Sequence, residues 1–246
     1  MGEKLWKACS DGKVEEVTKL LQNEQININL ASNGRTPLLT TPFEIACRNG
    51  NIEIVKLLLN DERIDINKTN IYGWTPFYSA CANGYIKIVK LLLNDQRVDI
   101  NKGDNHGQTP FYSACSQKKI EIVKLLLNDK RVDINKTTND GSTPFYHACR
   151  WEDIEIVKLL LNDRRVDINK KDNDGKSGLD CAKEKGKTDI IKLIQSFQKN
   201  PSETRANLRR EFGKLIFLFF FFLIVFLFFI YLYISFSKLK FRRNNF

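Results

Sequence analysis

The sequence predicts an all-α repeat solenoid followed by one transmembrane helix, and two observations carry this prediction. Thr-Pro pairs recur at Thr41, Thr75, Thr109 and Thr143, each 34 residues after the one before. An uncharged, strongly apolar stretch runs from Leu215 to Phe236. A fixed period of this length is typical of stacked helical repeats. An apolar stretch of this length is typical of a helix that crosses a bilayer.

Each repeat predicts two helices separated by a tight turn. A Thr side chain caps free amide groups at a helix start, and Pro is favoured at the first helical position. In the third repeat, Asn83 and Gly84 predict the end of the first helix, because both residue types tolerate a left-handed backbone. Apolar side chains cover most of the circumference between Ile86 and Leu93, so the second helix is expected to be buried. One pair cannot bury its apolar faces alone, but a stack can.

The third repeat also carries a resemblance to a known family. Its Thr75-Pro76-Phe77-Tyr78-Ser79-Ala80-Cys81 run, its Asn83-Gly84 pair and its run from Ile86 to Asn101 follow one pattern in order. This pattern resembles the ankyrin repeat, over about residues 4 to 197. The resemblance implies six units, each a helix pair followed by a turn finger. The expected helix pairs span Leu5 to Leu21, Pro42 to Leu59, Pro76 to Leu93, Pro110 to Leu127, Pro144 to Leu161 and Gly178 to Ile194.

Two units depart from the pattern. Between the first two units, the segment from Thr36 to Thr40 looks inserted, so the next helix is expected to start at Pro42 after Thr41. The sixth unit has Ser177-Gly178 in place of Thr-Pro. The first and last units depart most, as expected of capping repeats.

Charge separates the chain into segments. The net charge is +10, but residues 201–246 hold eight Lys and Arg against two acidic side chains, so the excess clusters around the apolar stretch. We therefore predict an ankyrin repeat domain at 1–197 and a polar, basic linker at 198–214. A transmembrane helix is expected at 215–236 and a short basic tail at 237–246. Twenty-two residues in a helix reach about 33 Å, enough to cross a hydrocarbon core.

The position of the apolar stretch predicts the topology. The first residues contain no apolar core of a secretory signal, and the chain resembles a tail-anchored protein. We expect a single-pass membrane protein with its amino-terminal domain in the cytosol, in contact with lipid through residues 215–236. Which membrane holds it stays open. Lys and Asp alternate along the repeats, which argues against a nucleic-acid partner.

The sequence offers no catalytic or metal-binding motif, so we predict neither enzymatic activity nor a cofactor. Four cysteines, Cys47, Cys81, Cys115 and Cys149, keep the 34-residue period and are expected to be small core residues. Cys181 falls outside this register and is predicted to be the most accessible thiol.

The expected function is a non-enzymatic scaffold that presents a protein-binding surface at the cytosolic face of a membrane. Trp74, Tyr72, Trp151 and Arg150 are hypothesised to anchor the protein partner, because exposed aromatic residues are frequent hot spots. The alternative that Trp74 and Trp151 pack on neighbouring units stays open. A second reading is a regulatory subunit of a transporter or channel complex, whose apolar helix packs against partner spans. The candidate partner-binding residues are Ile71, Tyr72, Trp74, Asn105, His106, Gln108, Asp140, Arg150 and Trp151.

Overall fold

The computed structural model describes residues 1–32 and 39–213. Within these ranges the chain is helical and contains no strand. Twelve helices form six consecutive pairs, which confirms the predicted all-helical ankyrin solenoid. Their bounds are α1 Gly2–Ser10, α2 Val14–Leu21, α3 Pro42–Asn49, α4 Ile52–Leu59, α5 Pro76–Asn83, α6 Ile86–Leu93, α7 Pro110–Ser116, α8 Ile120–Asn128, α9 Pro144–Arg150, α10 Ile154–Asn162, α11 Gly178–Glu184 and α12 Thr188–Lys199.

The predicted membrane helix at 215–236 and the basic tail at 237–246 lie outside the described residues. No helix within the described ranges is both long enough and apolar enough to span a bilayer. The chain divides into two compact units, Met1–Leu193 and Ile194–Phe246.

The first helix of each inner repeat begins as its sequence predicts. The Thr41 hydroxyl accepts a hydrogen bond from the Glu44 amide at 3.1 Å, and Pro42 is the first helical residue. The prediction that α3 starts after the inserted segment is therefore confirmed. Thr75, Thr109 and Thr143 cap α5, α7 and α9 in the same way, each at 3.0 Å.

Like helices stack on like helices. The odd-numbered helices from α1 to α11 pack against one another in order, and the even-numbered helices from α2 to α10 form a second layer. Between the layers lies the core, in which one phenylalanine per inner repeat is almost completely buried. These residues are Phe43, Phe77, Phe111 and Phe145.

All six cysteines are buried; Cys181 has the largest exposed fraction of the six, as predicted, but at 3% it is not an accessible thiol. The reason is the close approach of α11 to α9. A side chain at Gly178 would meet the Sγ atom of Cys149 at 3.1 Å and the ring of Phe145 at 3.2 Å. The Cys181 thiol in turn lies against Tyr146 and Cys149 of α9, which cover it.

Asn and Arg side chains join consecutive repeats through hydrogen bonds to the backbone. We call this series of contacts the polar ladder. The Asn101 side chain donates to the Arg131 carbonyl at 2.8 Å and accepts from the Asp133 amide at 2.9 Å. The Arg131 guanidinium, held by Asp129, donates to the Leu93 carbonyl at 2.7 Å. The asparagine contact recurs at Asn29, Asn67 and Asn135, and the arginine contact at Arg63, Arg97 and Arg165.

Within the second unit, residues 201–213 are helical, inside the segment predicted as a linker. Asn200 caps this stretch by accepting a hydrogen bond from the Glu203 amide at 3.2 Å, and Pro201 follows the cap. The Arg205 guanidinium lies 4.8 Å from the centre of the Phe197 ring.

Candidate partner-binding surface

The turn fingers are built by side chains that accept hydrogen bonds from the backbone. In the fourth repeat, one carboxylate oxygen of Asp104 accepts from the amides of His106 and Gln108, both at 2.9 Å. Gly107 completes the turn at φ +78°, a conformation that favours glycine. His106 is therefore exposed at the tip, and Gln108 is half-buried.

Neighbouring fingers are hydrogen-bonded to one another. The Asn105 side chain donates to the Ile71 carbonyl at 2.7 Å, and its backbone amide donates to the Tyr72 carbonyl at 3.0 Å. Asp140 is likewise engaged, because its carboxylate accepts from the Thr138 hydroxyl and the Ser142 amide. These contacts lower the pKa of Asp140 below its ordinary value, the Thr138 hydroxyl contributing most. Asn105 and Asp140 therefore stabilise the fingers, independently of any role in binding a partner.

One group of aromatic side chains, the finger cluster, comprises Tyr72, Trp74 and Tyr78. The Trp74 ring stacks on Tyr78 with centroids 5.3 Å apart, and Tyr72 tilts against Trp74 at 5.6 Å. Tyr78 is buried and donates to a carboxylate oxygen of Asp104 at 3.4 Å. Trp74 therefore packs largely within the solenoid, whereas Tyr72 and Ile71 are exposed.

A second group, the helix-end cluster, comprises Tyr112, His147, Arg150 and Trp151. The Tyr112 and His147 rings meet edge to face with centroids 5.2 Å apart, and the Trp151 ring lies 6.2 Å from His147. The Arg150 guanidinium carbon lies 5.9 Å from the centre of the Trp151 ring. Trp151 is 61% exposed, the largest exposed fraction of any Phe, Tyr or Trp in the described chain. Most of its side chain is therefore not covered by a neighbouring unit.

Burial sets the protonation of these clusters. Desolvation raises the pKa of Tyr78 to about 12, and it lowers the pKa of His147 below its ordinary value. His147 is therefore neutral at pH 7, and its Nδ1 atom is buried without a hydrogen-bond partner. Arg150 supplies the positive charge of the helix-end cluster.

The structure separates the four residues hypothesised to act together. Tyr72 and Trp74 belong to a finger of the third repeat, whereas Arg150 and Trp151 lie at the end of a first helix in the fifth. No ring contact links the two clusters in the described part of the chain. The candidate surface therefore has two aromatic clusters that are not joined by a ring contact.

Sequence reasoning missed a set of contacts at the turn between the two helices of each repeat. Lys118 and Glu152 adopt positive φ values of +53° and +58°. They stand where the second and third repeats have Gly50 and Gly84. The sequence could have revealed this feature, because one position of the 34-residue repeat is glycine in two repeats and a charged residue in the next two.

The residue that follows this glycine position contacts the preceding repeat. The Tyr85 ring covers Gly50, and the Lys119 side chain covers Gly84. In the later repeats the contact becomes ionic: Asp153 pairs with Lys118 at 2.5 Å, and Lys187 pairs with Glu152 at 2.8 Å. We call these four contacts the turn register.

Glu44 was also missed. Its side chain is completely buried, one carboxylate oxygen accepts from the Ser79 hydroxyl at 2.7 Å, and the other has no hydrogen-bond partner. Burial raises the pKa of Glu44 to about 6, although the Ser79 hydroxyl and the Arg48 charge act in the opposite direction. In the described residues, no group of His, Cys, Asp and Glu side chains is arranged to hold a metal ion.

Comparison with known proteins settles the family. Three overlapping stretches, residues 4–70, 43–138 and 130–205, match the ankyrin repeat family. The chain belongs to the ankyrin repeat family. Its fold is typically a non-enzymatic interaction module. No curated protein matches the chain in sequence.

Two solved structures can be compared with this chain. The crystal structure of EF0377, an ankyrin repeat protein, is 30% identical, with a TM-score of 0.68 over 79% of this chain and 98% of that one. A chain in the complex of the Bdellovibrio bacteriovorus predatory endopeptidase Bd0816 with immunity protein Bd3460 is 25% identical. Its TM-score is 0.64, over 78% of this chain and 97% of that one. Because 555 chains of solved structures resemble this fold, the fold alone identifies no partner.

Proposed function

We propose that this ankyrin repeat protein is a non-enzymatic scaffold that binds a partner protein at the cytosolic face of a membrane. One observation carries the proposal: large side chains are exposed at positions that the fold leaves free. Tyr72 is 47% exposed at a finger tip, and Trp151 is 61% exposed at a helix end. Exposed Tyr and Trp side chains bring large contact area at little entropic cost, which makes them frequent hot spots.

Two further observations support the proposal. The Bdellovibrio structure that this chain resembles contains a protein–protein complex. The apolar stretch at 215–236, flanked by basic residues, has the length and composition of a membrane anchor. Tethering would confine a bound partner to a thin layer and so raise its effective concentration.

The partner-binding part is tested by proximity labelling in cells from the full chain and from two variants. One variant carries Ile71→Ala with Tyr72→Ala, and the other carries Trp151→Ala. We expect at least one variant to lose a strongly labelled protein, while Gln117→Ala, an exposed change on the fourth repeat, keeps it. If both variants label the same proteins as the wild type, the binding surface lies elsewhere.

The membrane part is tested separately, by alkaline extraction of membranes from cells that express the full chain or a chain ending at Asn200. We expect the full chain to stay in the membrane pellet and the shortened chain to be released. Release of both would contradict the anchor. Crosslinking of the apolar helix to one stoichiometric spanning protein would instead favour the regulatory subunit of a membrane complex.

A further inference from the structure

Trp151 is the exception in a row of equivalent residues. The equivalent position lies at the end of the first helix in each repeat and is exposed. It holds Asn49 in the second repeat, Asn83 in the third and Gln117 in the fourth. The amides of Asn49 and Asn83 bond to nearby backbone carbonyls. A small amide side chain is therefore enough for the fold at this position. The exposed indole of Trp151 is not required for packing.

The acidic groups around Trp151 are already matched by cations. Asp153 pairs with Lys118, and Glu152 pairs with Lys187. On the sixth repeat, Glu184 pairs with Lys176 at 2.8 Å.

One cation against Trp151 and another at the equivalent position of the next repeat are not matched. Arg150 lies against the indole face, and Lys185 occupies the position equivalent to Trp151 in the next repeat. Neither forms an ion pair with a described residue. The uncompensated charge around Trp151 is therefore positive.

The backbone around this patch is held in an unusual conformation. Lys118 and Glu152 occupy the left-handed region, which is strained for a residue other than glycine. Each also forms an ion pair with the following repeat. A surface whose turns are fixed in advance loses less entropy when a partner binds.

We propose that Trp151, Arg150 and Lys185 form a docking surface for an acidic segment of a partner protein. An apolar or aromatic side chain of the segment would cover the Trp151 indole. Its carboxylates would meet the Arg150 guanidinium, which can bind a carboxylate through two parallel hydrogen bonds, and the Lys185 ammonium. The inference rests on the proposed protein-binding function and names the chemistry of the partner.

A peptide fits this patch better than an anionic bilayer does. The exposed carboxylates of Glu152 and Glu184 flank the two cations. A continuous anionic lipid surface would approach these carboxylates as well. A segment with a few acidic side chains needs to meet only Arg150 and Lys185.

The test uses the full chain purified in detergent and a displayed library of random peptides. We expect the enriched peptides to be rich in Asp and Glu around an apolar or aromatic residue. For a synthetic copy of the most enriched peptide, Trp151→Ala should weaken binding about tenfold or more, as expected of a hot spot. Arg150→Glu should weaken it comparably, and Trp151→Phe should restore most of the loss.

Matched controls separate the site from general effects. Gln117→Ala removes an exposed side chain at the equivalent position, and Lys90→Glu makes the same charge change on an exposed outer helix. Both should leave the affinity within about twofold, because neither change removes the exposed ring or a cation of the proposed surface.

Several outcomes would overturn the inference. One is the absence of any enriched peptide, and another is enrichment without acidic residues. A third is peptide binding that falls with Tyr72→Ala but survives Trp151→Ala, which would leave the proposed scaffold function intact. A fourth is flotation with phosphatidylserine vesicles that depends on Trp151 and Arg150 in the absence of acidic-peptide binding, which would assign the patch to lipid.

Discussion

At the scale of single residues, one position just after the first helix of each inner repeat adopts a positive φ. Two kinds of residue occupy it. Gly50 and Gly84 reach positive φ without strain, whereas Lys118 and Glu152 reach it as charged residues with an ion pair. The two ion pairs differ in burial. The carboxylate of Asp153 is 4% exposed, whereas that of Glu152 is 47% exposed. The same substitution should therefore have opposite effects at these positions.

We predict that Glu152→Gly stabilises the chain by up to about 1 kcal/mol, because strain is relieved and an exposed ion pair contributes little. Lys118→Gly should destabilise it by about 1 kcal/mol or more, because the buried Asp153 loses its partner. Chemical denaturation of both variants measures the difference. Lys118→Gly with Asp153→Asn should recover stability relative to Lys118→Gly. Equal effects of the two glycine substitutions would contradict this account.

Glu44 makes stability depend on pH. Burial raises its pKa from 4.5 to about 6, so the folded protein binds the proton more tightly than the unfolded chain does. The contribution to stability is complete below about pH 4.5 and is lost as the pH rises through about 6. A pKa difference of this size corresponds to about 2 kcal/mol.

We therefore expect Glu44→Gln to raise the free energy of unfolding at pH 7 by up to about 2 kcal/mol and to have little effect at pH 4. Denaturation at both pH values measures it, with the exposed Glu53→Gln as control. A gain at pH 4 as large as that at pH 7 would show that ionisation of Glu44 is not the cause.

At the scale of helices and turns, the local signals were predictable and the contacts between repeats were not. Thr75 caps α5 through an amide three residues away, so its role can be deduced from the neighbouring sequence. Asn101 bonds to the backbone of Arg131 and Asp133, some thirty residues further on. Trp74 and Trp151 looked alike in sequence, yet only the fold decides that one stacks on Tyr78 and the other is exposed.

The asparagine ladder offers a matched comparison. We predict that Asn101→Ala lowers the free energy of unfolding by about 1–3 kcal/mol, because two hydrogen bonds between repeats are lost. Asn169 occupies the same position in the fifth repeat, where no ladder partner is found among the described residues. Asn169→Ala should cost no more than about 0.5 kcal/mol. Urea denaturation compares the two, and equal losses would rule out the ladder as the cause.

At the scale of the whole molecule, each repeat packs on its neighbours in sequence. Such an array should tolerate removal of a unit when the new interface resembles an old one. Deletion of residues 70–103 brings Gly50 opposite Lys119, which resembles the native contact of Lys119 with Gly84. Deletion of residues 104–137 brings Gly84 opposite Asp153, whose carboxylate then has no cation.

We predict that both deletions leave a helical, cooperatively unfolding protein, and that loss of 104–137 costs about 1–3 kcal/mol more than loss of 70–103. Circular dichroism with urea denaturation measures both quantities. Substitution of Asp153 by Asn should reduce the difference in the free energy of unfolding between the two shortened chains. Equal stability of the two shortened chains would show that the turn register does not distinguish the repeats.

The turn register also limits how this array could grow. A tandem copy of the third repeat would set Gly84 against a second Tyr85, a ring over a glycine as at Gly50. A tandem copy of the fifth repeat would set Glu152 against a second Asp153, two carboxylates where the native chain has opposite charges. Gene duplication could therefore lengthen the solenoid in its amino-terminal half at little cost in stability. In the fourth and fifth repeats the same event would bring like charges together, so the alternating ion pairs disfavour duplication or exchange of these two repeats.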